Sequence, residues 1–233
     1  MTHLTFGGSI DRCVIFLPGF LNSPYAYQRL LEPLGDDRCT VEIPRLYRPG
    51  PDALLGRFTV EDEAAAAMTL VQERQRGGSQ VWLAGHSRGG QAAWLAAKKL
   101  EDLAAPLAGL ILVDPVDGRG PRSVEPVATA TRASFTVPPL IIGAGLSGRC
   151  APQAVNHDCF AAAVAARVHV VVTDMGHADV LCGWQRTLGR RLCSGGPNPV
   201  RARESVAQLM TQYVFGELGP DSPGRMPLGV VRC

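Results

Sequence analysis

The sequence predicts one α/β domain, residues 1–233, built on a mostly parallel, doubly wound sheet with helices on both faces. Three observations carry that expectation. Six short apolar runs are each bounded by turn residues. Helical patterns fall between them, so strand and helix alternate as in successive βαβ units. Several of the runs are apolar without alternation, which is the pattern of strands covered on both faces. No repeat or linker divides the chain, and an apolar share of 46% is ample for a core.

In chain order, the first strand is read in CVIFLPG, 13–19. Ser23-Pro24 then form a cap and first turn opening a helix over YAYQRLLEPL. CTVEIPRL (39–46) supplies the second strand. Thr59 with Asp62 resembles a capping box ahead of EAAAAMTLVQERQR, which Gly77-Gly78 stop. VWLAG (81–85) is the third strand, and GGQAAWLAAKKL is the helix after it. GLILVDP (109–115), PLIIGAG (139–145) and VHVVVTD (168–174) complete the sheet, with NHDCFAAAVAA and RARESVAQLMTQYVFGEL as the last helices. Residues 47–58, 118–138 and 183–200 are expected to be irregular. The middle stretch is long and rich in Pro, Ser, Thr and Ala, and is expected to form a mobile cover over the site.

Composition narrows the function classes. A net charge of +2 with scattered arginines, and Lys98 and Lys99 as the only lysines, gives no basic stripe for nucleic acid. No apolar run reaches the ~18 residues a membrane span needs. MTHLTFGGSIDRC has neither an apolar targeting core nor an Arg/Ser-rich amphipathic stretch, so no signal or transit peptide is visible and the cytoplasm or plastid stroma is expected. The seven cysteines are an odd number, with no Cys-x-x-Cys zinc pair. Cys13 opens a strand and is expected to be a buried thiol. Cys182 and Cys193 flank a Gly/Arg-rich loop and could bridge in an oxidising compartment.

The chemistry centres on VWLAGHSRGG, 81–90. Gly-x-Ser-x-Gly alone is a weak signal, but here a strand precedes Ser87 and a helix rich in small residues follows. That context predicts a sharp elbow that lifts the hydroxyl while Gly85 and Gly89 avoid clashes. A serine hydroxyl needs a base. Of the five histidines, His3 lies at the N-terminus, His86 points away from its neighbour, His169 sits inside a strand, and His157 opens a helix. His177 follows the last strand in VVTDMGHADVL, where a short loop overhangs the carboxyl edge of the sheet, and is the expected base. The orienting acid is read as Asp114, which ends its strand, ahead of Asp117, which lies in a Pro/Gly turn; Asp158, Asp174 and Asp179 read as loop or helix-start acids. The chain order Ser87, Asp114, His177 is that of the α/β-hydrolases. Oxyanion donors are expected at the Arg88 N–H and, from FLPGFLNSPY, the Phe20 N–H. The histidines and acids show no metal-ligand spacing, and this mechanism calls for no cofactor.

With these motifs in place, the sequence resembles the chlorophyllases from about Val14 to the final helix. LAGHSRGG is similar to that family's nucleophile motif, including Arg88 after the serine. VDPVDG is similar to its acid motif and favours Asp114; DMGHADVL is similar to its histidine motif. CAPQAVNHDCF and IPRLYRPGPD resemble two further segments. One departure stands out: Pro18-Gly19-Phe20 replaces the family's usual His-Gly-Phe, which leaves the Phe20 backbone donor in place. The resemblance implies hydrolysis of the ester joining phytol to a chlorophyll or pheophytin, with peripheral contact to pigment-bearing membranes. Phe20, Leu21, Tyr25, Val116 and Leu181 are expected to form an apolar mouth for the alkyl chain. A broad esterase or polyester hydrolase of the same fold, and an idle fold that only binds a lipophilic ligand, are the competing readings.

Overall fold

The computed structural model describes residues 3–46, 59–118 and 125–233. Among these residues the sheet has eight strands: β1 (His3–Phe6), β2 (Arg12–Leu17), β3 (Thr40–Pro44), β4 (Gln80–His86), β5 (Gly109–Val113), β6 (Leu140–Leu146), β7 (Val168–Gly176) and β8 (Val230–Arg232). They lie in the order β1-β3-β2-β4-β5-β6-β7-β8. β2 to β7 are the six strands expected from the sequence, and they pair with one another in parallel throughout. The sequence reading missed the two edges, β1 and β8, which pair antiparallel. Each is short and half-exposed, so neither shows an apolar run.

The helices are α1 (Gln28–Leu31), α2 (Val60–Arg76), α3 (Arg88–Asp102), α4 (His157–Ala162), α5 (Gly183–Leu192) and α6 (Pro199–Val214). Alternate strand residues enter two cores. Val14 and Phe16 pack on the side that holds Tyr27, Leu30 and Met210 of the α1 region and α6. Cys13, Ile15 and Leu17 pack on the side of α2, α3 and α4, around Trp94 and Phe160. Burial on both faces is why these strands read as continuous apolar runs. Cys13 is buried, as expected.

Local chemistry accounts for the helix ends. The expected capping box forms at α2: the Asp62 N–H donates to Thr59 Oγ1 at 3.2 Å and the Thr59 N–H to Asp62 Oδ2 at 2.8 Å. Ser23 does not cap. Its hydroxyl donates to Gln185 Oε1 at 2.7 Å, and the expected first helix is one α turn between two 3₁₀ turns, Pro24–Tyr27 and Glu32–Leu34. Pro33 cannot donate to a continuing helix there. α4 stops at Ala162, and Val164 bridges to Ala133 instead. α6 stops at Val214, before Gly216 at φ 77°.

One expected irregular stretch is corrected, and the described part of another keeps its irregular backbone. Residues 183–192 form α5, which the sequence obscures because Gly183 and Gly189 read as breakers. Gly189 has a packing reason: a side chain there would come within 2.9 Å of Ala178 Cβ. Residues 125–138 are pinned along α3. The Trp94 indole N–H donates to the Ala128 carbonyl at 3.2 Å, Lys98 to Thr131 Oγ1 at 2.8 Å, and the Thr136 N–H to Glu101 at 2.8 Å. The rest of the expected cover, 119–124, and the stretch 47–58 lie outside the described residues.

Candidate active site

β4 runs into Ser87, which takes φ 55° and ψ −124°, and α3 starts at the next residue. A side chain at Gly85 would fall 2.3 Å from the Gly89 carbonyl oxygen, and one at Gly89 would fall 2.1 Å from that of Leu17. The elbow therefore closes only with glycine at both places. Among the described residues, four non-glycine residues have positive φ, and three of them, Leu21, Ser87 and Asp114, surround this point. Strain of this kind costs about 1–3 kcal/mol per residue and persists only where the surroundings enforce it. Here the Ser87 N–H donates to the Val113 carbonyl and the Val116 N–H to the Ser87 carbonyl, which joins the elbow to the end of β5.

The histidine and both aspartates are resolved by contacts. His177 Nε2 lies 3.0 Å from Ser87 Oγ, and His177 Nδ1 lies 2.7 Å from Asp114 Oδ2. Asp114 Oδ1 accepts from the Ala144 N–H at 3.0 Å. Burial by itself would raise the Asp114 carboxyl, but the hydrogen bond and charge of His177, the Ala144 N–H and His157 together hold it below the usual carboxylate range. An ionised Asp114 keeps the proton on Nδ1, which leaves Nε2 able to accept one from Ser87. Asp117 does something else. Its carboxylate accepts from Gln91 Nε2 at 2.8 Å, the Ala128 N–H at 2.9 Å, and the Thr129 N–H and hydroxyl at 2.8 and 2.7 Å. It ties 128–129 to α3.

Several positioning residues were not singled out from the sequence. Asp179, read as a loop acid, is fully buried; its Oδ2 accepts from the Gly176 N–H at 2.8 Å and from the Gly196 N–H. Ser194 Oγ accepts from the His177 N–H at 2.9 Å. His86 turns away from Ser87, as expected, and into a directed chain. The Gly19 N–H donates to Tyr27 Oη at 2.9 Å, the Tyr27 hydroxyl to His86 Nδ1 at 2.8 Å, and His86 Nε2–H to the His177 carbonyl at 3.1 Å. Burial, then the neighbouring His177, push the His86 imidazole down to about 3, so it stays neutral and keeps one donor and one acceptor nitrogen. The signal available in the sequence was the Gly-His-Ser-Arg-Gly context itself.

The turn after β2 abuts the elbow: a side chain on Gly19 would lie 3.2 Å from Ser87 Cβ. Phe20 follows Gly19 and Arg88 follows Ser87, so both expected oxyanion donors belong to segments flanking the hydroxyl. The Arg88 side chain pairs with Glu63 at 2.6 Å and lies over the Phe20 ring, 5.6 Å from its centroid. Burial pushes the Glu63 carboxyl up to about 7 against the opposing pull of Arg88. Of the expected mouth, Phe20, Leu21 and Tyr25 are exposed and Val116 half-buried. Leu181 is corrected: at 4% exposure it belongs to the core, because the loop after His177 folds inward with Ala178 and Val180.

Two further placements differ from the sequence reading. Cys193 bonds to Cys150, not to Cys182; the free Cys182 thiol donates to the Tyr25 carbonyl instead. His157, Asp158 and His169, which show no ligand spacing in the sequence, meet with their ligand atoms within 4.8 Å of one another. The facing ring nitrogens of His157 and His169 already satisfy each other, 2.9 Å apart. No helix among the described residues is long and apolar enough to cross a membrane.

A family model described as Chlorophyllase matches residues 10–219. Chlorophyllase-1, chloroplastic, from Citrus unshiu and from Citrus sinensis are each 30% identical over 185 residues, covering 72% of this chain and 55% of theirs. The chain thus spans about half the length of the curated relatives it matches. A ferulic acid esterase from Streptomyces cinnamoneus is similar in fold, with a TM-score of 0.64 over 95% of this chain and 73% of that one, at 18% identity. The fold is that of the α/β-hydrolases.

Proposed function

The chain belongs to the chlorophyllase family, and from that premise we propose that it is a serine carboxylesterase acting on the phytyl ester of a chlorophyll or pheophytin. The observation that carries the reading is the alignment of Ser87 Oγ, His177 and Asp114 through contacts of 3.0 and 2.7 Å. His177 Nε2 takes the Ser87 proton as Oγ attacks the ester carbonyl carbon. The tetrahedral oxyanion is held by the Phe20 and Arg88 N–H groups. As the intermediate collapses, His177 returns the proton to the phytol oxygen, and phytol leaves. The pigment acid remains as an ester on Ser87. Water, deprotonated by His177, attacks that ester and releases chlorophyllide and free Ser87. No step calls on a metal or cofactor of the protein; the magnesium of such a substrate belongs to the pigment.

The deciding assay separates products after incubation with chlorophyll a, p-nitrophenyl butyrate and a polyester film in detergent. Chlorophyllide and phytol in equal amounts are expected from the pigment. Rapid turnover of the simple ester with chlorophyll left intact would replace this reading with a broad esterase or polyester hydrolase. No turnover of any ester would leave a fold that only binds.

A further inference from the structure

We propose that the outer face of α5, together with the turn after β2, is a docking surface for an anionic lipid bilayer. On α5, Trp184, Leu188 and Leu192 recur every four residues and so share one face. They are 71%, 46% and 58% exposed. The chain has three tryptophans, and the other two, Trp82 and Trp94, are buried. Leaving a tryptophan and two leucines in water costs free energy that a soluble enzyme has no reason to spend on a helix it does not cover.

Charge identifies the occupant. α5 carries three arginines and no acidic residue, and one of the three, Arg186, is half-buried beside Asp179. Arg190 and Arg191, on the same helix, are exposed. Trp and Leu on one side with Arg beside them is the composition of a helix lying in a bilayer interface, apolar side chains among the acyl chains and guanidinium groups among phosphates. A second copy of the chain fits less well, since a two-fold dimer through this face would bring like-charged arginines together.

The surface continues to the site. Gln185, on the inner side of α5, accepts from Ser23 Oγ at 2.7 Å and donates to the Leu21 carbonyl at 3.2 Å. The Cys182 N–H donates to the Ala26 carbonyl at 2.7 Å. These bonds fix α5 against the turn that exposes Leu21 and Tyr25 and that abuts Ser87 through Gly19. A bilayer seated on α5 would hold its long-chain esters at that mouth. The inference rests on the ester-hydrolase reading for this purpose; docking itself stands on the surface alone.

The test sediments the full chain with phosphatidylcholine vesicles, with and without phosphatidylglycerol, at low and high salt, and records tryptophan emission. The expected result is binding to the phosphatidylglycerol vesicles that weakens with salt. A blue shift should accompany it and be absent in Trp184→Phe. Leu188→Glu/Leu192→Glu should bind about tenfold more weakly or worse, since charges are costly among acyl chains. That variant should keep the wild-type kcat/KM for soluble p-nitrophenyl butyrate, which separates failure of docking from failure of the hydrolase reading. Wild-type protein that stays with the supernatant, or a double variant that sediments as well as wild type, overturns the proposal. So does sedimentation velocity showing that the double substitution converts a dimer to a monomer.

Discussion

Asp114 and Asp117 stand three residues apart, both buried, and their partners divide the work. Asp114 faces His177, while Asp117 collects four hydrogen bonds from α3 and 128–129. Asp114→Asn should lower kcat by about 10⁴ with little change in fold, because the amide holds the wrong imidazole tautomer. Asp117→Asn should leave kcat nearly intact and cost about 1–3 kcal/mol in urea denaturation, as buried donors lose their acceptor. That Asp114 and not Asp117 meets His177 was legible in the sequence, since Asp114 directly ends a strand. The task of Asp117 was not, because its partners are 11 and 26 residues away. His86 gives a pH signature. Its imidazole falls from 6.5 to about 3 on burial, so the folded protein holds it neutral while the unfolded chain takes up a proton below about 6.5. Its contribution to stability is therefore present above about 6.5 and is lost as pH falls toward about 3. In His86→Gln the slope of unfolding free energy against pH between about 4 and 6 should be shallower by up to one proton, ~1.4 kcal/mol per pH unit. An unchanged slope would mean that His86 titrates normally.

At the scale of elements, what the sequence showed best was whatever local chemistry decides: the capping box of α2, the glycines of the elbow, the apolar runs of β2 to β7. What it hid depends on distant partners. Gly189, which reads as a breaker, lies inside α5 because a side chain there would crowd Ala178. Ser23 bonds to Gln185, 162 residues away, instead of capping the first helix. The 150–193 disulfide spans 43 residues and joins the segment after β6 to the end of α5. Cys193 is followed by Ser194, which receives the His177 N–H. The bond thus braces the histidine loop. Cys150→Ser, or reduction of the native protein, should lower stability by about 4 kcal/mol in the loop-entropy limit. It should also lower kcat for p-nitrophenyl butyrate more than it changes KM. Equal melting temperatures and equal rates with and without reductant would show that the brace is dispensable.

For the whole molecule, six parallel strands bring residues from three distant segments to one sheet edge: Ser87 after β4, Asp114 after β5 and His177 after β7. The turn after β2 adds Phe20 to the same edge. This convergence was legible because parallel strands all present their carboxyl ends on one side. The outer strands, the true disulfide and the meeting of His157 with His169 were not, since each depends on how the sheet closes its margins. On this reading Ser87 is a nucleophile activated through His177 and Asp114. A serine-directed phosphonate followed by peptide mass mapping tests it most directly. One adduct per chain is expected, on the peptide carrying Ser87, formed much more slowly in Asp114→Asn and absent in Ser87→Ala. An adduct on another residue, or full esterase activity in Ser87→Ala, would contradict it.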